Sequence, residues 1–340
     1  MASRTDRNLS RFVLFTTFGA AMSLASAVPR IADAATVTVS STCSVARAVA
    51  IINAGANPKP SPCKSSGSFG TGDTVVVPAG TFVVRPAVEI RRSLTIHGAG
   101  KWSTTLQAST STTVYQAFLV RDSSAVVKID NLFLAGPSDY PASSMSGIAV
   151  DGQNDPDLSN NNLELSNVVV SGFTGGGIVN IGGRVLVSNT LIYLNITGIW
   201  GGGVNSSVGS NSNGTQAVPS FVAKNSAISL NTARSTGGGG VYSEGKLDLR
   251  STVLQQNEGS DGVAIYEGAT FTTGTDKSTW CKVERDSTGS VPSEIDDNVA
   301  TETWGVSIIK SDITCNLYDT LATGNSSPYC SSNIVGCPQQ

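Results

Sequence analysis

The sequence predicts an all-β fold, a right-handed parallel β-helix (solenoid) with an N-terminal capping helix and a disulfide-bonded C-terminal cap. Three observations predict it. Short Val/Ile/Leu-rich runs alternate with Gly, Asn and Ser clusters from about Asp73 to Glu267, without sustained helical periodicity. The runs resemble one another at recurring intervals. All six cysteines, by contrast, fall outside this repetitive middle.

In chain order, the first element is an export signal. Arg4, Arg7 and Arg11 precede the apolar run FVLFTTFGAAMSLASA, and small-residue cleavage sites follow at Ala25-Ser26-Ala27 and Ala32-Asp33-Ala34. The run is short and diluted by Thr and Ser, against the roughly 20 apolar residues that a membrane-spanning helix requires. We read residues 1–34 as a signal peptide, a retained N-terminal anchor being the alternative, and the protein as secreted or held at the cell surface. Loss of four arginines and two aspartates with that segment takes the formal charge from −3 to −5. That balance argues against nucleic acid or an anionic membrane as partner. No second hydrophobic stretch follows, so no membrane span is expected after signal removal, and a monomer is expected.

Residues 35–72 are read as an N-terminal cap. Within them CSVARAVAIINAG has helical spacing: Val45, Ala48, Val49 and Ile52 fall on one face, with Ser41 or Thr42 as the capping residue. A stack of strands exposes an edge at each end, and this amphipathic helix can plug the first one.

Residues 73–270 are read as the coil. The units VKIDNLFL, LELSNVVV, VLVSNTLIYLN, FVAKNSAISLN and LDLRSTVLQQN each carry apolar residues two apart, then Asn or Ser, then a second short apolar run. Asn131, Asn167, Asn189, Asn225 and Ser251 thereby occupy equivalent positions, at intervals of 36, 22, 36 and 26 residues. The shorter intervals suit one turn of a parallel β-helix. The longer ones suit a turn with an inserted loop, DGQNDPDLSNNN before Leu163 and NSSVGSNSNGTQ before Phe221.

Gly-rich runs enter a strand in each unit (SGIAV, GGGIVN, WGGGVN, GGGGVYS, DGVAIYE), where glycine allows positive φ and close backbone approach. Six residues after three of the repeat positions stand Asn195, Asn231 and Asn257. Facing inward in stacked turns, each can donate its amide to the next and form a ladder; ordinary turn chemistry is the alternative. A single turn cannot bury its apolar side, but stacked turns share one core, in which each Val, Ile or Leu contributes about 1.5 to 3 kcal/mol as an upper bound. Parallel crossovers are right-handed with few exceptions.

After Phe271 the repeat fades, and residues 271–340 are read as a C-terminal cap. An even number of cysteines without a C-x-x-C pair, in an exported chain, points to structural disulfides. Spacing suggests Cys43 with Cys63, Cys281 with Cys315 and Cys330 with Cys337, among the roughly 15 pairings that six cysteines allow.

The segment GDTVVVPAGTFVVRPAVEIRRSLTIHGAG, with the helix before it, resembles the opening of pectin-lyase-like right-handed parallel β-helix proteins. In that family a helix precedes an Ile/Val run, an Ala-Gly-Thr turn and a strand ending in Gly-x-Gly. Cys43-Ser44-Val45 with Ala48, Val49 and Asn53 is similar to a bacterial surface-protein family that carries a Cys-Ser-Leu-Arg-Glu-Ala motif, with Ala46 and Arg47 in place of its Arg and Glu. FVAKNSAISLNTARSTGGGGVYS resembles polymorphic outer-membrane-protein repeats, Gly239-Gly240-Val241-Tyr242 standing where those have Gly-Gly-Ala-Ile. Together the resemblances span residues 36 to 270 and imply the fold, which hosts many functions. The disulfide-bearing residues 271–340 cannot supply the terminal membrane barrel of the large outer-membrane members, so surface attachment would need another carrier.

Enzymes of this fold that act on polysaccharides need particular residues. Hydrolysis calls for paired carboxylates with room for a sugar and water. The Asn-Thr-Asp, Asp-Asp and Gly-His-Gly blocks of polygalacturonases are missing, the one Asp-Asp being Asp296-Asp297 outside the repeats. Uronate lyases need a cation or charged group and a base, and the Trp-Ile-Asp-His segment of pectate lyases is missing too. His97, the single histidine, is read as structural at the end of an early strand. No Ser/His/Asp set is found, and one histidine with cysteines in disulfides leaves no zinc cluster.

Asp151, Asp155 and Asp157 in the first inserted loop, with Asp139 nearby, form the densest acidic group and are candidate binding residues. Calcium is their candidate ion, a solvated loop the plainer reading, and no other cofactor is expected. Arg184, Lys224, Arg234 and Arg250 recur in successive units; Arg184 is the candidate for an anionic saccharide, and a scattered basic surface is the plainer reading. Trp200 and Tyr242 can stack on sugar rings or pack between turns. Asn195-Ile-Thr and Asn213-Gly-Thr fit glycosylation sequons.

Repeats without a catalytic set point to a secreted or surface-associated β-helix protein that binds carbohydrate or a cell surface along its long face without catalysis. The alternatives are a polysaccharide lyase for an acidic glycan, using Arg184 with the acidic loop, and a structural spacer.

Overall fold

The computed structural model describes residues 33–337, apart from 86, 110–115, 122–123, 138–143, 153–162, 211–215, 236, 269–280, 285–292, 297, 301–308, 312–314, 318–319, 324–329, 331–333 and 336. Strands stack rung upon rung on three faces. Sheet A contains Val88–Ile90, Gln116–Val120, Ser146–Asp151, Ile178–Ile181, Val204–Ser207, Val241–Ser243, Ile265–Glu267 and Ile309–Ser311, each parallel to the next.

Sheet B runs through Thr36–Thr38, Asp73–Val77, Leu94–Gly98, the first halves of Val127–Ala135 and Leu163–Ser171, then Arg184–Ser188, Ser220–Lys224, Lys246–Arg250, Cys281–Glu284 and Cys315–Leu317. Sheet C takes Gly80–Val84, Thr104–Ala108, the second halves of the two long strands, then Leu191–Tyr193, Ala227–Ser229, Val253–Gln255, Ser293–Asp296 and Thr320–Thr323. A short fourth ladder joins Ile196–Thr197, Thr232–Ala233, Glu258–Gly259 and Val299–Ala300. The result is a right-handed parallel β-helix.

The repeated Asn explains the corner between sheets B and C. Asn131, Asn167, Asn189 and Asn225 have φ of 55°, 55°, 50° and 47°, and Ser251 has 45°. One residue in the left-handed region turns the chain from one face to the next, and Asn tolerates that region better than most L residues. Asn167 Nδ2 also donates to Asn131 Oδ1 at 2.7 Å.

The predicted interior ladder is present and one rung longer than the repeat foretold. Nδ2 of Asn195 donates to Oδ1 of Asn231, Asn231 to Asn257, and Asn257 to Asn298, each at 3.1 Å. The second amide proton of each goes to a backbone carbonyl, of Val170, Ile192, Ile228 and Leu254 in turn. All four side chains are fully buried, so this pairing removes the penalty of about 1 to 3 kcal/mol for each polar group left unsatisfied in the interior.

Alternation does the rest. Ile178, Val204, Val241 and Ile265 from sheet A, Val185, Phe221 and Leu247 from sheet B, and Ile192, Ile228 and Leu254 from sheet C share one dry core. The glycine runs let rungs approach. A Cβ on Gly177, Gly203 or Gly240 would stand 2.6–2.7 Å from a carbonyl oxygen of the following rung.

At the front, the helix Val45–Ala54 (α1) buries Val45, Ala48, Val49, Ile51 and Ile52 against the first turns. Its cap is Ser44 rather than Ser41 or Thr42: Ser44 Oγ accepts from the Arg47 N–H at 3.2 Å. The chain first makes a turn in which Ser40 Oγ accepts from the Cys43 N–H, and Ser44, in extended conformation, then begins the helix. The Cys43–Cys63 disulfide pins the helix start. The buried Asp73 carboxylate accepts from the Ala35 and Gly70 N–H groups, tying cap to coil.

At the back, the sequence repeat fades after Phe271 but parallel pairing does not. Cys281–Glu284 continues sheet B and Ser293–Asp296 continues sheet C, with Cys281, Val283 and Ile295 buried. Cys281 is disulfide-bonded and stands opposite Cys315 in the register, and Cys330 bonds Cys337. Among the described residues no helix is long and apolar enough to cross a membrane.

Candidate functional site

The outer face of sheet A carries the most coherent surface. Because every second side chain points out, the parallel register aligns Glu89, Leu119, Ala149, Val179, Asn205, Tyr242 and Tyr266 in one outer row, and the backbone of Lys310 continues the register beyond Tyr266. From Leu119 to Tyr266 the row is uncharged across six rungs, each a partner in these pairings. Around it the belt is nearly neutral as well: between Leu165 and Ala223 the one charged residue is Arg184.

The row ends in a stack of three aromatic rings. The Trp200 ring lies 4.6 Å from Tyr242 at an interplanar angle of 31°, and 5.6 Å from Tyr266. Tyr242 is 2% exposed beneath its neighbours, whereas Trp200 and Tyr266 are half-buried. Trp200 reaches this place because the Gly201–Gly203 run brings the chain back into sheet A just after it. The Tyr242 hydroxyl donates to Glu244 Oε1, and Glu244 Oε2 accepts from the Val208 N–H at 2.8 Å. Both carboxylate oxygens of Glu244 are therefore engaged in holding the stack and its neighbouring loop.

Charge gathers at the front end of the face. Arg91 and Arg121 both contact Glu89, each at 3.0 Å. The Glu89 hydrogen bond, then its charge, holds the Arg91 guanidinium above its ordinary value.

The sequence-predicted site residues are distributed unequally. Asp151 ends its sheet A strand opposite Ile181, and Arg184 opens a sheet B strand just past Gly182 and Gly183. The two border one corner, where the Gly152 N–H donates to the Ile181 carbonyl at 2.8 Å. Asp155, Asp157 and Asp139 lie outside the described residues, as does Asn213. Among the described residues no group of three His, Cys, Asp or Glu side chains is arranged to hold a metal.

The four basic residues do not form one line. Lys224 and Arg250 share a row of sheet B, Arg184 begins a different row with Ser220 and Lys246, and Arg234 follows the fourth ladder. Arg250 is paired with Asp248 at 2.6 Å and Glu284 at 3.6 Å. His97 lies near the end of its early strand and pairs through Nδ1 with Asp130 Oδ1 on the adjacent rung, at the surface. Asn195 is sealed in the interior ladder, which closes that sequon to a glycan.

Tyr266 is the member of the stack that sequence reading overlooked. A signal was there: laid in register, GGGGVYS and DGVAIYE place Tyr242 opposite Tyr266.

No protein-family model matches the chain, and no curated protein matches it. Solved structures similar to it include pectin methylesterase from Aspergillus niger, at 11% identity over 89% of this chain and 91% of that one, with a TM-score of 0.48. Another is alginate lyase from a Paenibacillus species, at 13% identity over 88% of this chain and 98% of that one, with a TM-score of 0.41. A third is the A-module of a mannuronan C-5 epimerase from Azotobacter vinelandii, at 13% identity over 78% of this chain and 91% of that one, with a TM-score of 0.30. The fold of this chain rests on its strand pairing, and its chemistry on the side chains of the outer face.

Proposed function

We propose that the protein is a secreted or surface-associated β-helix that binds carbohydrate on the outer face of sheet A without cleaving it. The observation that carries this reading is the uncharged row that ends in the half-buried rings of Trp200 and Tyr266. Such rings offer an apolar face to the C–H side of a pyranose while their polar edges stay hydrated. The Asn205 carbonyl oxygen Oδ1 accepts from the Ser207 hydroxyl on the same strand, and the amide of Asn205 is the polar group offered to sugar hydroxyls. Glycoside hydrolysis uses two carboxylates across the sugar, and the row from Leu119 to Tyr266 supplies none. Disulfides fit an oxidising, extracellular setting.

Migration through gels containing dissolved polysaccharides tests the reading, with reducing ends and unsaturated-product absorbance followed in parallel. Retarded migration without product is expected; robust turnover would overturn it. The meeting of Asp151 and Arg184 at one corner favours one second reading, a lyase for an acidic glycan in which calcium sits on Asp151, Asp155 and Asp157. That version requires unsaturated product from a uronate polymer, lost in Arg184→Ala and on chelation.

A further inference from the structure

Resting on the carbohydrate-binding reading, we infer that the ligand is a neutral polysaccharide chain lying along the coil axis, over Leu119, Ala149, Val179 and Asn205 and onto the Trp200–Tyr266 stack. Direction follows from the register. Side chains that pair across successive parallel strands stand one above another, so the row runs along the axis and not around the coil. With about 4.8 Å between strands, five steps from Leu119 to Tyr266 span about 24 Å. That length holds a run of several linked sugars and is wasted on one.

Neutrality follows from the charges. A uronate carboxylate laid between Leu119 and Tyr266 would lose water and meet no cation among the residues of the row, and uncompensated desolvation of a charge is among the costliest events at a protein surface. The arginines nearest the front, Arg91 and Arg121, are both drawn onto Glu89. Beneath the aromatic end a carboxylate, Glu244, accepts from the Tyr242 hydroxyl and repels a uronate further; the first cation in register, Lys310, comes one rung beyond Tyr266. The chain as a whole is acidic, with a formal charge of −3. A neutral pyranose chain needs none of the missing cations. Its hydroxyls pair with Asn205 and its ring faces cover Val179 and the aromatic rings.

The experiment uses the intact protein with two series of soluble oligosaccharides, one neutral (β-glucan, xylan and mannan fragments) and one acidic (polygalacturonate and alginate fragments), titrated by calorimetry at low salt. The wild type is compared with Tyr266→Ala at the aromatic end and Val179→Arg in the middle of the row. Circular dichroism is recorded to check that both variants fold; Val179 and Tyr266 are half-buried positions of the outer row.

Neutral chains are expected to bind more tightly with each added sugar until the row is covered. Acidic chains of equal length should bind at least tenfold more weakly, and Val179→Arg should cost long neutral chains at least tenfold. Equal or tighter binding of the acidic series overturns the neutral class while leaving carbohydrate binding intact. Neutral binding untouched by both substitutions overturns this seat. Failure of every chain in both series overturns the carbohydrate reading itself.

Discussion

Leu194 and Leu230 hold φ of 55° and 56° on successive rungs, at the corner just before the buried asparagines, and are 50% and 42% exposed. The left-handed region costs an ordinary L residue about 1 to 2 kcal/mol, and half-exposed leucines recover little of that by burial. Asn does the same job at the preceding corner four times over. Leu194→Asn should therefore raise stability by about 0.5 to 1 kcal/mol, read as a higher midpoint in urea with an unchanged slope. A drop in the midpoint would show that the leucine side chain packs more productively than its exposure implies. One position further on the sign reverses. Asn231 accepts from the N–H and amide of Asn195 and donates to Ile192 and Asn257. Asn231→Ala leaves several of these groups buried without partners and should cost at least about 3 kcal/mol in the same titration. The asparagine positions were legible in the sequence because spacing marks them. The leucines were not, since nothing in residue type announces a positive φ at Leu.

Elements differ in how much of their geometry the chain declares. For α1, the apolar spacing of Val45, Ala48, Val49 and Ile52 names the buried face correctly. The cap escaped because Ser40, Ser41, Thr42 and Ser44 are chemically alike, and a turn closed by Ser40 decides among them. The strands after Phe271 escaped for a related reason. Their inward residues still alternate, as in Cys281 and Val283, but the Gly run and the corner Asn that mark earlier units are replaced. Since each rung of a solenoid touches only its neighbours, damage to one end should stay local. Removing the Cys43–Cys63 bridge, which closes 20 residues, with Cys43→Ala and Cys63→Ala should cost about 3 kcal/mol. Amide exchange should accelerate in α1 and the strands Thr36–Thr38 and Asp73–Val77, while the interior asparagine rungs keep their protection. Uniform acceleration along the coil would mean that the cap nucleates the entire stack.

At the scale of the molecule, two faces of one coil differ in charge. The outer face of sheet B is laced with ion pairs: His97 with Asp130, Lys128 with Glu164 at 3.0 Å, Arg250 with Asp248, and Lys282 with Glu284 at 2.7 Å. The outer row of sheet A is bare of charge from Leu119 to Tyr266. That contrast was invisible in the linear sequence, because members of the row come from strands tens of residues apart and only the register, loops included, brings them into line. The lacing is not what keeps the coil folded. Their basic side chains are 33% to 54% exposed, and pairs at the surface contribute from nothing to about 1 kcal/mol each before screening. Ile228, by contrast, is fully buried between Ile192 and Leu254 in the dry column, where truncation to Ala removes transfer energy and leaves a cavity worth about 2 to 5 kcal/mol. Raising salt to about 1 M, where the Debye length falls to about 3 Å, should therefore shift the unfolding free energy by less than Ile228→Ala alone does. Sodium chloride serves for this comparison, since sulfate would also strengthen apolar burial. If salt proves the more damaging of the two, the charge ladder and not the aliphatic column holds the rungs together, and a face without charges would then be the weakest side of the coil, unsuited to carrying a ligand.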